Sequence, residues 1–204
     1  ECLGSSQRGR TMHTILIAAA ILGLASAAWT PPKFCGSNSC PEFKVVNSGG
    51  PIERKYESSK WVTTRQTGFD YGAAKRMMFW RLFRYIQGNN TANKKINMTV
   101  PVICKITPGS PNDFEMSFYL DIDNAPQPSD SSVRLTTLPQ DLDVFVREYG
   151  GYSSETKAAY HAEKLKGQLV NQSLPHNTQY YYNAGYDSPW KFFNRHNEIW
   201  VPRN

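Results

Sequence analysis

The sequence lacks the short motifs that mark the common hydrolases, nucleotide-binding proteins and metalloproteins. It contains no Gly-x-Ser-x-Gly elbow, no phosphate-binding P-loop, no His-Glu-x-x-His pair and no Cys-x-x-Cys pair. It also lacks an uninterrupted apolar run of the roughly 18 residues needed to span a bilayer. The lack of such a run excludes a polytopic membrane protein. The sequence also shows no set of candidate catalytic residues at a spacing that indicates an enzyme class.

The composition is that of an ordinary folded domain. The 204 residues are 40% hydrophobic, 13% aromatic and 20% charged, which is enough for one domain with a full core. The 13 prolines and 14 glycines argue against an all-helical bundle. A formal charge of +6 suits anionic small molecules or surfaces as well as nucleic acid, so charge alone does not choose a partner.

The amino-terminal segment is typical of a secreted protein. The first methionine is Met12, and the short apolar run after it ends in small residues before Trp29. This pattern predicts a signal peptide, although a buried core helix is the alternative. The predicted divisions are a non-native or untranslated leader, a signal peptide, a Cys-containing segment and a folded domain, at 1–11, 12–28, 29–50 and 51–204.

Cysteine usage agrees with an oxidising compartment. Cys35 and Cys40 enclose Gly-Ser-Asn-Ser, a loop flexible enough to close a small disulfide ring. Cys104 shares its strand parity with two valines, so we expect a buried core thiol there. In a secreted chain, three sequons would be N-glycosylation acceptors, at Asn89, Asn97 and Asn171.

Hydrophobic periodicity predicts two helices within an α+β fold. The first runs from Asp70, its N-cap, to about Gln87, and the second from about Ser154 to Val170. Their order among the strands predicts a pseudo-twofold, duplicated β-α-β-β unit whose two helices lie on a curved antiparallel sheet or half-barrel. The predicted strands are Lys60–Arg65, Ile96–Ile106, Phe114–Leu120, Val133–Leu138, Leu142–Glu148, Gln179–Tyr182 and Glu198–Val201.

A turn-rich loop near the end of the chain concentrates aromatic residues beside cations. It reads Trp190-Lys191-Phe192-Phe193 after Tyr186-Asp187-Ser188-Pro189, with Arg195 close by. Aromatic faces beside a cation suit a flat, apolar, anionic ligand. The alternative is an aromatic loop that simply packs on the end of the barrel.

Seven motifs stand in order between about Ile52 and Val201. They are Lys60-Trp61-Val62, Phe79-x-x-Leu82-Phe83-x-Tyr85-Ile86-x-Gly88-x-Asn90, Ile96-x-Met98-Thr99-x-Pro101-Val102, Pro126-x-Pro128, Val144-Phe145-Val146-x-x-x-Gly150-Gly151, Gly185-Tyr186-Asp187-Ser188-Pro189 and Asn197-Glu198-Ile199-Trp200. With these motifs the sequence resembles the SOUL haem-binding proteins, and most of all the haem-binding protein 2-like members of that family.

The resemblance implies the same pseudo-twofold α+β barrel, no catalysis, and a hydrophobic patch beside the first helix that binds haem or another tetrapyrrole. Carried over residue by residue, the patch comprises Phe79 and Phe83 on the helix, Met98 on the next strand, and Lys191 as the basic group near the propionates. Trp190 is added because it adjoins Lys191.

The sequence departs from the family where some members have a histidine proposed as an axial iron ligand, because Lys55 stands at that position. A protonated lysine has no lone pair to donate, so we expect porphyrin-type recognition without strict axial ligation. His161 and His196 remain as alternative axial ligands. Glu198, in the last motif, is predicted to be structural and paired with an arginine or with backbone donors.

The resemblance therefore implies a secreted, monomeric carrier or scavenger of tetrapyrroles, with no nucleic-acid partner and no integral membrane association. A second hypothesis is an interaction module for a protein or a membrane that has lost its ligand. That module would use Met77 and Trp80, which lie among Arg76, Arg81 and Arg84. An enzyme is a third hypothesis, resting only on a cleft that the fold would provide.

Overall fold

A computed structural model describes residues 29–138 and 142–204. The predicted leader and signal peptide lie outside the described residues. Within those residues, no helix has both the length and the apolar character needed to cross a membrane.

Both helices form where the apolar periodicity predicts them. α1 spans Tyr71–Ile86 and α2 spans Glu155–Asn171. The side chains of Asp70 and Ser154 each accept a hydrogen bond from a first-turn amide, which satisfies a group that the helix itself leaves unpaired. Gly88 has a φ of 114°, a conformation that a side chain would resist, and it lets the chain leave α1.

Nine strands within the described ranges form one antiparallel sheet. They are β1 Phe43–Asn47, β2 Ile52–Tyr56, β3 Ser59–Gly68, β4 Val102–Thr107, β5 Asn112–Tyr119, β6 Val133–Leu138, β7 Leu142–Tyr149, β8 Tyr181–Gly185 and β9 Asn197–Pro202. The order across the sheet is β1-β2-β7-β9-β8-β4-β5-β3-β6.

The strands differ from the prediction at the start of the domain. The sequence does not predict β1 or β2, and the strand expected from Ile96 begins only at Val102. Pro101 has no amide hydrogen for a ladder, so regular pairing starts after it. The strand β2 is not predicted because it contains three consecutive charged residues, and charge is unusual in a buried strand. This strand is tolerated since the buried Arg54 is paired with Glu198.

The sheet order confirms the predicted duplication. The unit β3-α1-β4-β5 corresponds to β7-α2-β8-β9, and the two units meet where β4 pairs with β8. The strand that precedes each unit joins the other one, since β2 pairs with β7 and β6 pairs with β3. The strand β1 lies outside this symmetry, beyond β2.

The sheet is curled into a half-barrel. Only residues 57 and 58 separate β2 from β3, although these strands lie near opposite ends of the sheet order. Consecutive Cα atoms are about 3.8 Å apart, so the two strands approach to within about 11 Å at this connection. The two ends of the sheet therefore face each other.

Each face of the sheet carries a hydrophobic cluster. The larger cluster packs α1 and α2 against strand residues such as Phe118 and Ile199. The smaller cluster, which we call the inner cluster, unites strands from both ends of the sheet order through residues such as Tyr56, Trp61 and Trp200. The helices thus cover the outer face of the half-barrel.

The amino-terminal segment covers the inner cluster and is closed by the predicted disulfide between Cys35 and Cys40. Both cysteines are buried, and Phe34 stacks on His196 with ring centroids 4.2 Å apart. Cys104 is buried, as its strand parity predicts, and its thiol is free.

Candidate functional site

A cleft of about 330 Å³ lies between α1 and the centre of the sheet, where β4 pairs with β8. This volume is at the lower end of the range for small-molecule sites. The cleft is lined by Tyr71, Gly72, Lys75, Arg76, Phe79, Val102, Cys104, Met116, Tyr152, Ser153, Asn183, Gly185, Asp187, Pro189, Arg195 and Asn197.

The floor of the cleft is largely apolar. Cys104 and Met116 are buried there and Val102 is partly buried. Burial raises the pKa of the Cys104 thiol to about 12. The thiol therefore stays protonated at neutral pH and acts as a small apolar side chain.

One polar network crosses this floor. Asn183 Nδ2 donates to Tyr71 Oη at 3.0 Å and to Ser153 Oγ at 2.8 Å. Its Oδ1 accepts from Tyr149 Oη at 2.6 Å. Because both donor hydrogens and the acceptor are used within the protein, the network fixes the floor without needing a ligand.

The α1 wall combines an aromatic stack with cations. Lys75, Phe79 and Phe83 follow at intervals of four residues, and the rings of Phe79 and Phe83 stack with centroids 5.7 Å apart. Lys75, Arg76 and Phe79 line the cleft. Burial lowers the pKa of Lys75, and the positive charge of Arg195 acts in the same direction.

The opposite wall is the loop over residues 186–196, which we call the late loop. Arg195 Nη1 donates to the carbonyl oxygens of Ser188 at 2.6 Å and Lys191 at 2.7 Å. Its Nη2 donates to the carbonyl oxygen of Asp187 at 3.1 Å, and Lys191 Nζ lies 2.6 Å from Asp187 Oδ1. Arg195 therefore holds the loop together, while the α1 wall places Lys75 and Arg76 along the cleft.

The structure brings only part of the predicted ligand-binding set together. Phe79 lines the cleft, and Phe83 stacks directly on it. Met98 is partly buried against the larger cluster and does not line the cleft. Trp190 and Lys191 lie on the late loop, where both are exposed and neither lines the cleft.

Neither of the two alternative histidines lines the cleft. His161, in α2, stacks on Tyr149 at 4.5 Å between ring centroids and accepts a hydrogen bond from Arg147 Nε at 3.2 Å. Burial lowers the pKa of His161. His196 lies beneath Phe34 on the inner face. Within residues 29–138 and 142–204 the cleft lining includes no histidine, and Lys55 on β2 does not line it either.

Glu198 is structural, as its motif predicts. Arg54 Nη1 lies 2.9 Å from both of its carboxylate oxygens. Tyr186 Oη donates to the same carboxylate at 2.8 Å and Trp200 Nε1 at 2.7 Å. Burial alone would raise the pKa of Glu198, but the hydrogen bond with His196 and the charge of Arg54 outweigh burial and lower it.

This buried group also contains the candidate metal ligands that the described residues offer. Single ligand atoms of Glu148, His196 and Glu198 lie within 4.8 Å of one another. However, Arg54 contacts both carboxylates, at 2.9 Å and 3.4 Å. Its positive charge offsets one of the two carboxylate charges and repels a further cation at this position.

The three predicted glycosylation acceptors Asn89, Asn97 and Asn171 are all exposed. Asn171 is the last residue of α2, one position beyond the helix end that the sequence predicts at Val170. Glycosylation at each of them stays a prediction.

Several cleft residues carry no signal that identifies them in the sequence. Asn183 and Cys104 meet because β8 pairs with β4, and nothing local in either strand predicts that pairing. Lys75 is the exception, because it stands one helical turn before Phe79 and so shares the face of the predicted patch.

The fold and the cleft define a duplicated β-α-β-β half-barrel protein with a small-molecule-sized cleft beside its first helix. A solved structure of the EcmrR C-terminal domain has the same fold, with a TM-score of 0.56 over 79% of this chain and 98% of that domain. Its sequence is only 8% identical, so this similarity concerns the fold alone.

The sequence comparisons then give the family. The model of the family described as SOUL heme-binding protein matches residues 38–202. "Heme-binding protein 2" of Homo sapiens is 33% identical over 173 residues, which cover 79% of this chain and 84% of the relative. "Heme-binding protein 2" of Mus musculus is 33% identical over 187 residues, covering 88% and 91%. The chain belongs to the SOUL heme-binding protein family.

Proposed function

We propose that the protein binds haem or a related tetrapyrrole in the cleft beside α1, and that it acts as a secreted, monomeric, non-enzymatic carrier or scavenger. The observation that carries this proposal is the pairing of an apolar floor with cations on the α1 wall, next to Phe79. Burial of the apolar ring drives association at roughly 25 cal/mol per Å², and the propionates meet Lys75 and Arg76. The names of the relatives support this choice of ligand.

A titration of the protein with ferric haem and with iron-free protoporphyrin tests the proposal. No histidine in the described residues lines the cleft, so binding should not depend on the iron. We therefore expect saturable one-to-one binding of both ligands, monitored by the Soret band and by the quenching of tryptophan emission. Saturable binding of haem alone would mean that binding requires a ligand to the iron, supplied by a residue outside this cleft lining. Absence of saturable binding to either ligand would reject the proposed function.

Replacement of Lys75 by methionine removes a propionate contact while keeping the length of the side chain. We expect weaker haem binding and a changed pH dependence. The lysine must be protonated to attract a carboxylate, so the affinity of the parent protein falls as pH rises through the lowered pKa of Lys75, below the ordinary 10.5. The variant lacks this decline. Lys164→Met, on the exposed side of α2, is the control, and parallel pH profiles for Lys75→Met and the parent would remove Lys75 from the site.

Replacement of Lys191 by alanine should weaken haem binding several-fold and leave thermal stability nearly unchanged. Lys191 neutralises Asp187, whose side chain lines the cleft. Without that partner, the carboxylate repels the propionates. The measurement is the same titration together with a thermal melt, and an unchanged affinity would contradict the predicted role.

A second candidate function is supported by the exposure of Met77 and Trp80 beside the exposed Arg76 and Arg84. This basic face suits an acidic partner. It becomes the leading hypothesis if the titration finds no tetrapyrrole binding.

A further inference from the structure

The tip of the late loop exposes an aromatic patch that the cleft does not use. Trp190, Phe192 and Phe193 are 81%, 66% and 83% exposed. Single exposed apolar residues are common on protein surfaces, but three large aromatic side chains within four positions form a patch that marks an interaction surface.

The loop that carries this patch is internally braced. Arg195 donates to three backbone carbonyls of the loop, and the Asp187 carboxylate accepts from Lys191 Nζ and from the backbone amide of His196. Tyr152 Oη also donates to the carbonyl oxygen of Pro189 at 3.0 Å. These bonds fix the backbone of the loop while its three aromatic rings stay exposed, so little ordering entropy opposes the insertion of the tip into an apolar phase.

The charge around the tip is positive. Asp187 is the only acidic residue in the sequence from 186 to 196, and Lys191 neutralises it. Arg195 stands in the same segment, while Lys75 and Arg76 line the facing wall of the cleft. A surface of anionic headgroups complements this arrangement.

We propose that the late loop docks the protein on anionic lipid bilayers, with Trp190, Phe192 and Phe193 inserted at the level of the headgroups. Tryptophan and phenylalanine beside lysine are the side chains that anchor proteins peripherally at this interface. A protruding tip fits a deformable bilayer, whereas a protein partner would have to offer a matching groove. Pro189 and Arg195 of the same loop line the cleft, so docking brings the mouth of the cleft to the membrane surface.

Vesicle binding of the full chain tests this proposal without any tetrapyrrole, so it can fail independently of the proposed function. The probes are vesicles of phosphatidylcholine alone and with phosphatidylserine. We expect the double variant Phe192→Ser/Phe193→Ser to bind phosphatidylserine vesicles at least about tenfold more weakly than the parent. The control Tyr160→Ser/Val170→Ser removes two exposed apolar side chains of α2 and should bind as the parent does.

The depth of Trp190 provides a readout that is specific to the loop, because the apolar run before residue 28 is common to all variants. Brominated lipids should quench the part of the emission that is lost in Trp190→Phe. Equal vesicle binding by the Phe192/Phe193 variant and the parent, together with no quenching of Trp190, would overturn the proposal. Loss of binding only in Met77→Ser/Trp80→Ser would overturn it as well, and would assign the contact to the basic face of α1.

Discussion

Replacement of Glu198 by glutamine should lower the free energy of unfolding by about 3–5 kcal/mol, the cost typical of removing one partner of a buried ion pair. The side chain of Glu198 is fully buried and that of Arg54 nearly so. In the variant, the carboxylate partner left to the guanidinium among the described residues is Glu148, at 3.4 Å and partly in solvent. The neutral amide also keeps only one acceptor oxygen, so its NH₂ group faces either Tyr186 and Trp200, which donate to Oε2, or His196, which lies 2.7 Å from Oε1.

The control for this variant is Glu148→Gln, which removes the exposed partner of the same arginine. Its expected cost is about 1 kcal/mol or less, because solvent screens the charge. Chemical denaturation of both variants provides the measurement. Similar losses in the two would show that burial does not strengthen the Arg54–Glu198 pair.

The Arg54–Glu198 pair also makes the stability of the protein fall at acidic pH. The pKa of Glu198 is lowered in the folded state. At an acidic pH, a larger fraction of this carboxylate is therefore ionised in the folded protein than in the unfolded chain. The stability from this pair is present above the ordinary value of 4.5 and is lost as pH falls through the lower folded pKa. Glu198→Gln lacks this part of the decline.

Replacement of Gly185 by leucine should reduce tetrapyrrole affinity by about tenfold or more, equivalent to about 1.4 kcal/mol, because the new side chain fills the cleft. Gly185 shares its strand face with Asn183 on the cleft floor. A Cβ at this position would lie 3.9 Å from Asn197 Oδ1 and 4.0 Å from the Val102 carbonyl oxygen, both ordinary contact distances. The backbone therefore accepts the residue, and the added atoms occupy the site.

Gly167→Leu makes the same substitution on an exposed turn of α2, where a Cβ meets nothing within 4 Å. Both variants should unfold near the parental temperature, and only Gly185→Leu should lose affinity in the protoporphyrin titration. Undiminished affinity in Gly185→Leu would place the ligand elsewhere on the protein.

The parts of the fold that the sequence predicts are those set by local chemistry. The helices begin directly after Asp70 and Ser154 because each of these side chains caps the first turn that follows it. The Cys35–Cys40 disulfide closes a ring of neighbouring residues. The strand β2 is missed because its buried charges have distant partners: Arg54 pairs with Glu198, 144 positions away in sequence, and Glu53 pairs with Arg203. No local pattern reports such a partner.

The residues of the candidate site likewise fall into those that the sequence indicates and those that depend on strand pairing. Phe79 and Phe83 are predicted as site residues by the family resemblance, and Lys75 lies one helical turn before Phe79 on the same face of the helix. The floor depends on the pairing of β4 with β8, which brings Cys104 opposite Asn183. That contact is a property of the whole sheet, so the sequence indicates the α1 wall of the cleft and not its floor.

The exchange of β2 and β6 between the two repeats bears on how the chain unfolds. Each repeat completes its sheet with a strand that the other repeat supplies. If either repeat opened alone, it would withdraw its own leading strand from its neighbour and expose a hydrogen-bonding edge there. The duplication therefore links the two halves into one cooperative unit, and internal symmetry in this chain does not divide it into independently stable parts.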